Sequence, residues 1–349
     1  MRFPPGGPAP EGSGLPVWRR IGRLVAAAPA ALAVTLLAAG CHVSGSGGSG
    51  HSGSAKFAPI TVAAIPGIDN APLYLAAREG MFSQAGLQVN IRDYTSVTEE
   101  LQALHSGTVD VAAGSYADFL FAESNVPNLL LVADGYDGAP NVMEVLTLPG
   151  SRITSPQDLA GKTIGTAVPD KIPFNASVPY SLPTLATQSV LQNDGVDLTT
   201  VRWQPMQATG LVGALKSHQV DAILATEPTI FQAESQVGAV EVTDSLTGQT
   251  ANLPLSGYFT SPSFARREAA TLRAFRSVLL AAQGDAVAGG HVESVLAQYS
   301  GMAAETASMV TVGQYPTSVN ADSVQRVANL MANFGILSGP ISIQIMLFH

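Results

Sequence analysis

Cysteine occurs once in the 349 residues, at position 41. A single thiol excludes a disulfide framework, a cysteine-based zinc cluster and a Cys-x-x-Cys redox pair. Charge is scarce too: charged residues make up 12% of the chain against 46% hydrophobic ones, which excludes a disordered polyelectrolyte. Basic residues are the scarcer sign, and the formal net charge is −9. Such a surface repels nucleic acid and anionic lipid, so nucleic acid is not an expected partner. Common catalytic signatures are missing as well: there is no Gly-x-Ser-x-Gly elbow, no P-loop, no Gly-x-Gly-x-x-Gly behind a strand and no His-Glu-x-x-His. The six histidines are scattered, and none of the four lysines beyond position 41 sits in a context that marks a Schiff base. Binding rather than catalysis is expected, with no metal and no cofactor.

What is present starts at the N-terminus. Arg19, Arg20 and Arg23 precede an apolar run, residues 24–39, that stops at Gly40-Cys41. A basic region, a short hydrophobic region and small residues before a cut have the layout of a secretory signal. The run has 16 residues and contains Pro29, short of the ~20 of a spanning helix. Residues 1–40 are therefore expected to be a signal peptide. Residues 37–41 (LAAGC) resemble a bacterial lipobox, in which Cys41 becomes the lipidated N-terminus. From Cys41 onward the chain holds 13 basic and 25 acidic residues, a net charge of −12. The Ser/Gly tract 44–54 reads as a flexible tether of roughly 18 Å between membrane and folded body.

From residue 57 the chain alternates strands and helices, which implies an α/β fold with mainly parallel sheets. Its length suggests two lobes, each with its own core. Strands are expected at 60–65, 87–94, 109–113 and 129–133, with a turn at 134–138 (DGYDG). A strand at 142–148 is expected to lead out of the first lobe. The alternation resumes at 162–167, 201–204, 222–226 and 240–244, and 257–260 returns the chain to the first lobe. Helices are expected at 264–282, 292–300, 303–312 and 321–334, and the apolar tail 341–348 should pack onto the body. Residues 104–124 and 215–235 align without gaps at an offset of 111, with seven of 21 positions identical, among them Asp110/Asp221. Each lobe thus carries the same helix–strand–turn–helix unit, and the turns at 114–116 and 226–228 should face one another across a cleft. Ligands of open α/β sheets bind at that level, beyond the carboxyl ends of the strands.

The pattern x-A-P-L-Y-L-A-x-x-x-G-M-F-x-x-x-G-L-x-V over residues 70–89 resembles the opening of substrate-binding proteins of ABC importers, in the nitrate, sulfonate and thiamine-precursor group. The motifs at 104–110, 158–165, 219–222 and 330–339 follow in the order of that group. Residues 168–183, with four prolines, depart from it. The resemblance implies a two-lobed periplasmic-binding-protein type II fold with two crossing strands as hinge. It implies a first lobe at 57–145 plus 257–349, a second at 146–256, and a lipidated tether at 41–56. The expected partners are a small-molecule ligand, ABC permease subunits and the membrane through the lipid anchor, for a monomer outside the cytoplasm. Expected ligand contacts are Gly67, Asp69, Asn70, Ser115, Tyr116 and Tyr136 in the first lobe and Thr166, Ala167, Tyr180, Thr226 and Glu227 in the second. Acidic and aromatic residues around the turns favour a neutral or cationic heterocycle, such as a pyrimidine, over a sulfonate or nitrate. Alternatives are an enzyme on the same fold or a sensory binding protein; a pyrimidine-forming enzyme of that type depends on a cysteine-rich motif absent from this chain.

Overall fold

The computed structural model describes residues 57–167, 181–289, 292–337 and 339–349. The signal region, Cys41, the Ser/Gly tract and residues 168–180, including Tyr180, lie outside them. The strands are β1 (Ala58–Ala64), β2 (Leu87–Asp93), β3 (Val111–Ser115), β4 (Leu130–Asp137), β5 (Met143–Thr147), β6 (Thr163–Ala167), β7 (Arg202–Met206), β8 (Ala222–Thr226), β9 (Val240–Asp244) and β10 (Pro254–Thr260). They form two five-stranded sheets, β2-β1-β3-β10-β4 and β7-β6-β8-β5-β9. Pairing is parallel along β2-β1-β3 and β7-β6-β8. In each sheet one interior strand, β10 or β5, runs antiparallel to both neighbours. The fold is the expected α/β type II, two-lobed one.

Helices cover the sheets on both faces, so the central strands read as continuous apolar runs rather than alternating ones. Val62, Ala63, Ala64, Val111 and Ala112 are fully buried. The strand expected to lead out of the first lobe, β5, pairs on both sides within the second sheet. The chain passes between sheets after Asp137 and again between Asp244 and Pro254.

The internal repeat extends to hydrogen bonding. At the offset of 111, β3 falls on β8 residue for residue. Asp110 Oδ2 accepts from the Thr61 N–H at 2.8 Å, and Asp221 Oδ2 accepts from the Thr163 N–H at 2.8 Å. Each aspartate's own N–H donates back to the carbonyl of the same threonine. Each aspartate's carbonyl in turn accepts a threonine hydroxyl from the antiparallel strand, Thr260 at 2.7 Å and Thr147 at 3.0 Å. An aspartate entering a parallel strand thus closes the ladder ends that the sheet would otherwise leave open.

Three expectations on local structure differ. Residues 134–137 continue β4 instead of turning. Their turn-like composition has a tertiary cause: Asp134 accepts from the buried Tyr116 hydroxyl and from the Asn320 N–H, and a Cβ at Gly135 would meet Ser256 atoms at 3.0–3.2 Å. The helix expected over 303–312 is reduced to Ala304–Ala307. Beyond it, the Thr311 and Gly313 N–H groups donate to Glu227 and to the Tyr136 hydroxyl rather than to helical carbonyls. The helix expected over 264–282 is two helices, Pro262–Arg267 and Ala269–Gly289.

The apolar tail packs onto the body as expected. Ile343, Met346 and Phe348 are buried, and Leu347 bridges Leu131. Arg276 donates to the Phe348 carbonyl at 2.7 Å and lies 5.2 Å over its ring.

Truncating either repeat aspartate strands one strand N–H. At Asp110, which is partly buried, Asp110→Ala should cost about 1–3 kcal/mol. At the exposed Asp221, where water can replace the carboxylate, Asp221→Ala should cost less. Chemical denaturation of both variants checks this, and a larger loss at 221 than at 110 contradicts it.

Candidate functional site

Between the two sheets lies a cavity of about 290 Å³. From the first sheet it is lined by Gly67, Ile68 and Asp69 behind β1, Ser115 at the end of β3, Tyr136 in β4, and Leu255 and Ser256 in β10. From the second come Val142 and Met143 at the start of β5, Thr226 and Glu227 behind β8, and Leu182 and Pro183 opening the helix Leu182–Asn193. The parallel strands point their carboxyl ends at the cavity, and the antiparallel strands enter from it, as the topology of open α/β sheets requires.

The turn behind β1 is held by three distant tyrosines. Tyr299 and Tyr315 donate to the carbonyls of Gly67 and Ile68 at 2.6 and 2.7 Å, and Tyr258 donates to Asn70 Oδ1 at 3.4 Å. Asp69 folds back over this turn, and a Cβ on Gly67 would sit 2.8 Å from Asp69 Oδ1, so a side chain there would have to displace that carboxylate. Burial raises the Asp69 carboxyl to about 6, against the hydrogen bond it accepts from Ser256, which pulls it down.

Glu227 reaches across the lobes. Its Oε1 accepts from the Thr311 N–H at 3.0 Å and its Oε2 from the Phe231 N–H at 3.2 Å. Burial raises its carboxyl, and these two bonds oppose the shift. Asp69 and Glu227 are the only charged residues lining the cavity among the described residues, and both are acids.

Six of the expected contacts, Gly67, Asp69, Ser115, Tyr136, Thr226 and Glu227, meet at this cavity. Asn70 lies beneath it, buried, with its amide on the Ile65 carbonyl at 2.9 Å. Tyr116 turns away from the cleft. It is fully buried, donates to Asp134, and passes so close to β10 that a Cβ on Gly257 would meet its Oη at 2.6 Å. Ser115 is the last residue of β3 and Tyr116 the first of the helix Tyr116–Asn125, so the chain changes conformation between them and the two side chains part. Thr166 is buried in β6, and Ala167 packs against the second-lobe core. Ser256, Met143 and Leu182 escaped sequence reasoning because they lie on crossing strands and a helix start whose position only the topology fixes.

Beneath the first-lobe wall, Glu100 is fully buried and neither carboxyl oxygen has a hydrogen-bond partner. Burial, with the nearby Asp69 and Asp118 carboxylates, pushes it up to about 9. Asp118, bonded by the Ser115 hydroxyl, is itself raised to about 6 by burial. A carboxyl raised in the folded state holds a proton that the unfolded chain has released, so stability falls as pH rises from about 4.5 toward 9. Glu100→Gln should therefore leave the melting temperature near pH 5 almost unchanged and raise it at pH 8. A melting curve that drops at both pH values contradicts this.

The comparisons with known proteins agree with this architecture. No curated protein sequence matches the chain. Among solved structures, the periplasmic aliphatic sulphonate binding protein SsuA of Escherichia coli is similar with a TM-score of 0.66 at 16% identity, over 83% of this chain and 97% of that one. The alkanesulfonate-binding protein SsuA of Xanthomonas axonopodis pv. citri, bound to MOPS, is similar with a TM-score of 0.64 at 18% identity, over 83% and 98%. The ligand-binding component of an ABC-type import system from Staphylococcus aureus, with zinc bound, has a TM-score of 0.68 at 11% identity, over 84% and 96%. At these identities the likeness is one of fold. In sequence, the profile of the NMT1/THI5-like family matches residues 68–289, and the chain belongs to that family.

Proposed function

We propose that the chain is an extracytoplasmic solute-binding lipoprotein that captures a small molecule between its lobes and delivers it, as a monomer, to an ABC import permease. The observation that carries the reading is the cavity itself, walled by residues of both sheets at the carboxyl ends of their parallel strands. A ligand that touches both walls favours the closed arrangement over any open one by the contacts it gains from the second wall. Catalysis is the weaker reading, because no His, Lys or Cys lines the cavity among the described residues. The SsuA proteins with this fold are sulfonate binders by name, and a pocket for such an anion calls for cationic groups or N–H donors. Here the two charged lining residues are Asp69 and Glu227, which suit a neutral or cationic heterocycle bearing N–H donors.

Calorimetric titration separates the ligand classes. Aminopyrimidines should bind and aliphatic sulfonates should not. Asp69→Asn should weaken heterocycle binding about tenfold or more, since a charge-assisted hydrogen bond is roughly twice as strong as a neutral one. For a cationic heterocycle, affinity should fall as pH drops through about 6, where Asp69 takes up a proton and loses its charge. Tight sulfonate binding that tightens further in Asp69→Asn overturns the heterocycle reading and leaves solute binding standing.

The anchor is tested separately. Cys41, behind its basic and apolar leader and ahead of the Ser/Gly tract, is the proposed lipid attachment site. Cys41→Ala should move the protein from the membrane to the soluble fraction; retention on the membrane contradicts lipidation.

A further inference from the structure

A second pocket, of about 310 Å³, lies at the seam between the lobes and adjoins the ligand cavity, with which it shares Glu227. Four glutamates line it: Glu144 on β5, Glu227, Glu234 on the helix Thr229–Val237, and Glu241 on β9. Phe231 and, from the first-lobe side, Met309 supply apolar wall. Among the described residues no Lys, Arg or His lines it, and none of the four acids is ion-paired.

Acids gathered on a surface are ordinarily just solvated, but Glu144 is not. It is 4% exposed, and its Oε2 is buried without a hydrogen-bond partner. A carboxylate oxygen in that position lacks both water and a donor, which is costly unless a cation or a donor reaches it. Its neighbours compound the problem. Glu241, Glu234, Asp244 and Glu227 all act on it with the same sign, and burial together with their field raises its carboxyl to about 7.

The geometry narrows the class of partner. Among the described residues no three acids converge closely enough to ligate one metal ion. The carboxylates are instead spread around a space far larger than an ion, with Phe231 and Met309 between them. Separated anions with apolar surface between them match separated ammonium groups joined by methylenes. We propose that this pocket binds a small primary diamine, one ammonium on Glu144, the other on the outer glutamates, and the alkyl chain against Phe231 and Met309.

The site also has a mechanical position. Glu144, Glu234 and Glu241 belong to the second lobe, whereas Met309 and Thr311 belong to the segment packed on the first. The Glu227 bond to the Thr311 N–H already ties the two sides. A diamine seated there neutralises the carboxylates that face this seam and holds the two sides together.

The test is calorimetric titration of the full chain with 1,4-diaminobutane at constant ionic strength, with butylamine and Mg²⁺ as comparators. Diaminobutane should bind at least tenfold more tightly than either. Glu241→Gln, at an exposed position that leaves folding untouched, should weaken diamine binding tenfold or more, as should Glu144→Gln. Asp69→Asn, in the ligand cavity, should leave it unchanged. Three results overturn the proposal: no binding at millimolar diamine, Mg²⁺ binding as tightly as the diamine, or loss of diamine binding in Asp69→Asn with none in Glu241→Gln. The last would place the diamine in the ligand cavity as cargo, which leaves the solute-binding reading intact while removing the seam site.

Discussion

The two sheets depend on an exchange of interior strands. β5 follows the first four strands in the chain yet lies between β8 and β9, and β10 follows the second-lobe strands yet lies between β3 and β4. Neither is an edge that could peel away, since each has a hydrogen-bonded neighbour on both sides. The lobes are therefore joined through the centres of their own sheets, and the cavity lies where the crossing strands enter. Ser256 and Met143, one from each crossing strand, line it for that reason. The site and the connection between lobes are one piece of structure.

Around that junction the molecule concentrates acids and withholds bases. Asp69, Asp118, Asp134, Asp137 and Glu144 are all raised, each with burial as the first cause. Hydrogen bonds hold some of them down: Ser256 on Asp69, Ser115 on Asp118, Tyr116 and the Asn320 N–H on Asp134. Glu100, Asp137 and Glu144 have unpartnered buried oxygens and carry the larger burden. Polar donors are the main means by which this interior accommodates negative charge, with Arg326 acting on Asp137 as the cationic exception.

How much of this could be read in the sequence divides along local and distant contacts. The β1–turn–helix unit was legible because its signals are adjacent: Pro72 in the first helical turn, Gly80 at the end with φ 71°. The repeat was legible because Asp110 and Asp221 do the same work in both lobes. The tyrosines that fix the Asp69 turn were not, since Tyr258, Tyr299 and Tyr315 lie some 190 to 250 residues away. Residues 134–137 misled for the same reason. An Asp-Gly-Tyr-Asp string reads as a turn until the partners of Asp134 and Tyr136, Asn320 and Gly313, are known. Tyr116 shows the limit at an element boundary, because the single step from the end of β3 to the first residue of the next helix separates a cleft position from a core one.

The tail adds a mechanical asymmetry. β1, where the described chain begins, and Leu347, near its end, are both joined to the first sheet, the latter through Leu131 and the Arg276 clamp on Phe348. The second lobe is an insertion joined to the first by the two crossings, with Glu227 on the Thr311 N–H and Arg326 on the Gln249 and Ala251 carbonyls as further ties between the two sides. A load applied through either end of the folded body enters at the first lobe and reaches the second only through the crossings and those ties.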